Sequence, residues 1–81
     1  MEKPEILIVD DEQNILLLLS ETLEDEGYAI TTKNNGKDAI ATLAENEFDL
    51  LLVDLKLKDM DGTQVMREAK KHWPDTVVIM L

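Results

Sequence analysis

"ILIVDDE", residues 6–12, runs four apolar residues straight into three adjacent acids. A strand with one wet face alternates apolar and polar residues, so an unbroken Ile/Leu/Val run reads as a strand buried on both faces. A second run of the same kind, "DLLLVD" at 49–54, also closes on an acid. Asp10 and Asp11 thus follow one of the two most apolar strands directly, and Asp54 follows the other.

Outward from these runs the chain alternates regularly. Strands are predicted at 5–9 ("EILIV"), 28–32 ("YAITT"), 49–53 ("DLLLV") and 76–81 ("TVVIML"). Helical spacing fills the gaps. Residues 12–26 place Ile15, Leu18, Leu19, Thr22 and Leu23 on one stripe, with Gly27 as the stop. Leu16 and Leu17 widen that stripe, and we read them as packing before contact surface. Residues 37–46, after the turn-forming "NNG", put Ala39, Ile40, Leu43 and Ala44 inward. Residues 63–72 present Val65, Met66 and Ala69 and end at Trp73-Pro74, because proline disfavours helix at the residue before it. Four strands separated by three helices predict an α/β fold: a parallel sheet with right-handed crossovers and helices on both faces.

Length and charge narrow the function. Eighty-one residues hold at most one domain. The absence of cysteine removes disulfides, thiolate nucleophiles and soft-metal sites from consideration. Eighteen acids against eight bases give a net charge of -10, which disfavours direct binding to nucleic-acid phosphates and favours basic partners or cations. The start "MEKPEILIVD" lacks the basic and long apolar regions of a signal peptide, and no apolar run approaches the ~18 residues of a membrane span. The expected location is cytoplasmic, with no membrane association.

In a parallel sheet all strand C-termini share one rim, where ligands bind. If the first and third strands are neighbours, Asp10, Asp11 and Asp54 meet there. Converging carboxylates repel unless a cation or protons compensate. Oxygen donors alone suit Mg²⁺ better than Zn²⁺, since the sole histidine, His72, lies at the far end of the third helix. Residues 57–68 imitate a calcium loop through Asp59, Asp61, Gly62 and Glu68, but Leu57 fails at its first position and a strand precedes it where a helix is required. Asp61-Gly62 is expected to lead into the third helix, with Asp61 or Thr63 near the cap. His72 is expected to serve the helix dipole, and Glu12 to be a helix-start acid.

Taken together, "ILIVDDE", "FDLLLVDLKLKDMDG" and "WPDTVVIML" resemble the receiver domain of two-component response regulators. The resemblance spans the whole chain but only four of the family's five strands. It implies a doubly wound, flavodoxin-like sheet of order 2-1-3-4, the usual fifth strand being absent. Residues 1–81 are then expected to be the N-terminal part of a single receiver domain. Asp54 resembles the phosphoacceptor, charged by a histidine kinase or a small phosphodonor. Asp11 would bind Mg²⁺ directly and Asp10 largely through water, Asp54 would complete the carboxylate seat, and the backbone carbonyl of Lys56 would add a ligand. Such a domain phosphorylates itself and is not a turnover enzyme.

The sequence also departs from the pattern. Lys58 stands where the family usually has proline, a change expected to alter loop stiffness more than chemistry. The family's Ser/Thr and Lys, which contact the phosphoryl group, are expected beyond Leu81, so no further catalytic residue is expected within the chain. The apolar ending "VVIML" predicts an open strand 4 edge, through which copies would pair as a homodimer or exchange segments. The rival reading is a receiver-fold interaction module without phosphotransfer. It leaves the cost of three mutually repelling carboxylates unexplained.

Overall fold

The computed structural model describes residues 3–81. Its elements are β1 (Glu5–Val9), α1 (Gln13–Asp25), β2 (Ala29–Lys33), α2 (Gly36–Glu45), β3 (Leu50–Val53), α3 (Gly62–His72) and β4 (Val77–Met80). All three strand pairings are parallel, in the order β2-β1-β3-β4. The two unbroken apolar runs are therefore the two central strands, flanked on both sides and covered on both faces. Ile6 to Val9 and Leu51 to Val53 are all buried.

The pleat sends alternate residues of these strands to opposite faces, and two cores result. Leu7, Val9, Leu51 and Val53 pack with Ala39 and Leu43 of α2 and with Val65 and Ala69 of α3. Ile6, Ile8 and Leu52 face the other way, against Leu16 of α1, with Leu19, Leu23, Tyr28 and Ile30 around them. The sheet is thus clad by α2 and α3 on one side and by α1 on the other.

The phase of α1 differs from the expected one. Leu16 is buried, whereas Leu18 is 62% exposed and Leu17 57%; Thr22 is exposed too. Four consecutive leucines at 16–19 allow two overlapping stripes. The one used is Leu16, Leu19, Ser20 and Leu23, at spacings of three, four and seven, with Ile15 at its margin. In α2, Ala44 is likewise exposed, because Ala39 and Leu43 already complete the inward face.

Local chemistry sets the element ends. Gly27, at φ 95°, takes the left-handed conformation just past α1. Its N–H donates to the Glu24 carbonyl at 3.0 Å and that of Tyr28 to the Leu23 carbonyl at 3.2 Å, the paired bonds of a Schellman stop. Asn35 caps α2, its side-chain oxygen accepting from the Asp38 N–H at 2.8 Å. Past α3, the Trp73 indole N–H donates to the Leu43 carbonyl at 2.7 Å, and the buried Thr76 hydroxyl donates to the Phe48 carbonyl at 2.7 Å. These two bonds fix the approach to β4.

The segment between β3 and α3 crosses the rim where the acids lie, and two ties shape it. Gly62 donates its N–H to the Leu55 carbonyl at 2.6 Å. A Cβ on Gly62 would collide with the backbone carbonyl oxygen of Asp54, and it would lie 3.1 Å from the Leu55 Cα. Farther along, the Asp59 carboxylate accepts the Gly36 N–H at 2.9 Å and the Lys37 N–H at 3.0 Å, at the start of α2. These two bonds hold the Asp59 carboxyl below the usual carboxylate range.

Alanine is the better helix former by up to ~1 kcal/mol, yet Gly62→Ala should lower stability by about 1–2 kcal/mol in urea unfolding, since a backbone clash costs more than propensity returns. A gain in stability would show that the loop is free to move. Asp59 is depressed in the folded state, so its ionised form contributes stability above the unfolded pKa of ~3.9 and loses it as pH falls through the folded value. Asp59→Ala should therefore lower the urea midpoint at pH 7, and the gap to wild type should close below about pH 4. A gap independent of pH would mean that the carboxylate charge plays no part.

Candidate metal site

The ladder between β1 and β3 pairs Val9 with Val53 at its last rung. The next residue on each strand is an aspartate, and the Asp54 N–H continues the ladder to the Val9 carbonyl at 2.9 Å. Asp10 and Asp54 are thus lateral neighbours at the rim, and Asp11 is one residue farther out. One side-chain oxygen from each of the three can be chosen so that all lie within 4.8 Å of one another. Among the described residues this is the one cluster of three or more potential metal-ligating side chains.

Asp10 is 6% exposed, the least exposed carboxylate of the three; Asp11 and Asp54 are half-buried. Each accepts one backbone N–H. Glu12 donates to Asp10 Oδ1 at 2.9 Å, Lys58 to Asp11 Oδ2 at 3.0 Å and Lys56 to Asp54 Oδ1 at 3.2 Å. The second oxygen of each carboxylate takes no hydrogen bond among the described residues. The Lys56 carbonyl accepts none either. Three half-satisfied carboxylates and a free carbonyl make an oxygen-only donor set, which fits a hard divalent cation.

Several sequence expectations meet the structure here. Asp10, Asp11 and Asp54 do come together at the rim. Glu12 is the N-cap residue of α1, an acid at the helix start, although its side chain makes no cap bond. Asp61 is the N-cap of α3, likewise without a side-chain cap bond. Asp59 and Asp61, read in sequence as an imitation of a calcium loop, join no metal cluster among the described residues; Asp59 instead holds the start of α2. His72 ends α3 with Nε2 3.6 Å from Glu68, one turn back. The reading of Lys58 as a matter of loop stiffness needs revision. Its N–H is a donor to Asp11 that proline, lacking that hydrogen, cannot supply. Sequence alone offered no signal for this bond, because it depends on how the loop folds back over β1.

Comparison with known proteins agrees with this geometry. The family model described as "Response regulator receiver domain" matches residues 6–81. The transcriptional regulatory protein YkoG of Bacillus subtilis is 42% identical over all 81 residues, which make up 36% of its own length. A CheY-like receiver domain protein from Methanospirillum hungatei superposes with a TM-score of 0.94 at 37% identity, over 98% of this chain and 63% of that one. The response regulator TrrA of Thermotoga maritima, solved in complex with Mg²⁺ and BeF, gives a TM-score of 0.83 at 36% identity, over 95% of this chain and 65% of that one. The chain spans about a third of the length of the curated relatives it matches. With its four parallel strands in the order 2-1-3-4 and three acids on their common rim, it belongs to the response regulator receiver domain family.

Proposed function

We propose that this chain is the phosphoacceptor region of a two-component response regulator, with Asp54 accepting a phosphoryl group from a histidine kinase in the presence of Mg²⁺. The observation that carries the reading is the convergence of Asp10, Asp11 and Asp54, each with one carboxylate oxygen held by a backbone N–H and the other free. A module without this chemistry has no use for three adjacent, mutually repelling acids.

The roles are those that the family resemblance implies for these positions. The free oxygen of Asp54 attacks the phosphorus; the new P–O bond forms as the bond from phosphorus to the donor's imidazole nitrogen breaks, and the nitrogen leaves with that electron pair. The product is an acyl phosphate. Asp11 would hold the cation directly and Asp10 largely through water, with Asp54 and the Lys56 carbonyl as further oxygen ligands. Bound Mg²⁺ supplies electrostatic relief for the charge on the transferring oxygens. The Lys56 N–H on Asp54 Oδ1 fixes the carboxylate's rotation, so the attacking oxygen is presented and not left to turn.

Residues 1–81 are read as the N-terminal part of one receiver domain, since the matched solved chains are about half as long again. The Ser/Thr and Lys that complete phosphoryl recognition belong beyond Leu81. The whole protein is read as a cytoplasmic transcription regulator, in keeping with the names of its relatives, and as a signalling module that does not turn over substrate. With a net charge of -10, this region leaves DNA contact to other parts of the protein. On its own, the 81-residue chain should associate through β4, whose Val77 and Ile79 are 56% and 47% exposed at the sheet edge.

Two outcomes are expected. The full-length protein, given Mg²⁺ and a small acyl or amido phosphodonor, should gain one phosphoryl group by intact-mass measurement. Asp54→Asn should gain none; a wild type that stays unlabelled at every donor concentration rejects the reading. For the 81-residue chain, sedimentation should show dimers forming as concentration rises, and Ile79→Lys should return it to monomer. A wild-type chain that is monomeric throughout contradicts the edge pairing.

A further inference from the structure

Among the described residues, the two acidic segments at the rim are linked by a single hydrogen bond outside the sheet. Asp11 lies past β1, and Lys58 lies in the loop after β3; the Lys58 N–H reaches the Asp11 carboxylate at 3.0 Å. The Lys58 side chain is exposed, so what the residue contributes here is its backbone. Hydrogen bonds to an ionised acceptor are roughly twice as strong as neutral ones. This one occupies one lone pair of Oδ2 and leaves Oδ1 without a donor among the described residues.

We propose that the Lys58 N–H is a positioning group for the metal site, orienting Asp11 so that it offers a divalent cation one defined oxygen. The inference rests on the reading of Asp10, Asp11 and Asp54 as the metal seat. The hydrogen bond restricts rotation of the half-buried Asp11 side chain about its last torsion. Without it, ordering that torsion becomes part of the cost of binding the cation. The bond also offsets repulsion from Asp10 and Asp54 before a cation arrives. The loop cannot simply drift away, since Asp59, the next residue, is anchored on the Gly36 and Lys37 N–H groups of α2. The donor is thus held in place from outside the site, a second layer of support of the kind that tunes metal ligands.

The test separates the N–H from the side chain. In the full-length protein, Mg²⁺ affinity is measured by calorimetry for wild type, Lys58→Ala, Lys58→Pro and a semisynthetic chain with an ester in place of the peptide N–H at position 58. Lys58→Ala keeps the donor and should bind within about twofold of wild type. Lys58→Pro and the ester lack it and should bind about tenfold more weakly, the lower end of what losing a ligand's outer hydrogen bond costs. Their urea midpoints in Mg²⁺-free buffer should fall below that of Lys58→Ala, as the loss of a hydrogen bond to a charged acceptor requires, while the slope of the transition stays unchanged, which a general loosening of the fold would not allow. The ester leaves the backbone torsions free to remain as they are, so it decides the matter if proline perturbs the loop. Mg²⁺ affinity of the ester equal to that of Lys58→Ala overturns the inference alone. A wild type that takes up no Mg²⁺ and no phosphoryl group overturns the metal-seat reading and the inference with it.

Discussion

Val9 and Val53 are partners on the last rung of the parallel ladder between β1 and β3, and the arrangement of the rim depends on that register. It brings Asp10 and Asp54 level. It also fixes which residues point to which core, with Val9 and Val53 toward α2 and α3, and Ile8 and Leu52 toward α1. A slip of one residue would reverse every side chain of a strand and separate the acids at the same time. Because the two central strands are apolar on both faces, alternation alone does not pin the register. It is pinned instead by the helices cladding each side and by the Asp54 N–H bond to Val9.

Bringing three carboxylates within reach of one another is costly. Two unit charges about 4 Å apart interact by roughly 4 kcal/mol at an effective dielectric of 20. One hydrogen bond to a charged group returns about 1.5–3 kcal/mol. The backbone N–H groups of Glu12, Lys56 and Lys58, one per carboxylate, therefore offset part of the repulsion and leave a residue that a divalent cation is suited to relieve. The same N–H groups give the site its direction, since each engages one oxygen and leaves the other. Binding and geometry come from one set of contacts.

The main outline was legible in the sequence because it rests on features that sequence carries directly. Continuous apolar runs marked β1 and β3, turn residues marked Gly27 and Asn35, and the acids directly after the runs marked the rim. What was not legible depended on tertiary choice. The run of leucines at 16–19 supports two helical stripes, and only contact with Ile6 and Ile8 selects Leu16 over Leu18. Leu57 and the preceding strand already ruled Asp59 out of a calcium loop, but its bonds to the start of α2 carried no signal in the sequence. The demand on Gly62 comes from the Asp54 carbonyl, and Lys58 matters through a backbone hydrogen that no residue pattern encodes.

The chain is acidic in many places, and α1 alone carries Glu21, Glu24 and Asp25. A cation site built by register must be distinguished from general attraction to negative charge. Paramagnetic broadening of backbone amide signals by substoichiometric Mn²⁺ makes that distinction residue by residue. Broadening should centre on Asp10, Asp11 and Glu12 together with Asp54, Leu55 and Lys56, and excess Mg²⁺ should reverse it. Broadening centred on Glu21 to Glu26, or spread evenly over the acidic surface, would contradict a site built by register.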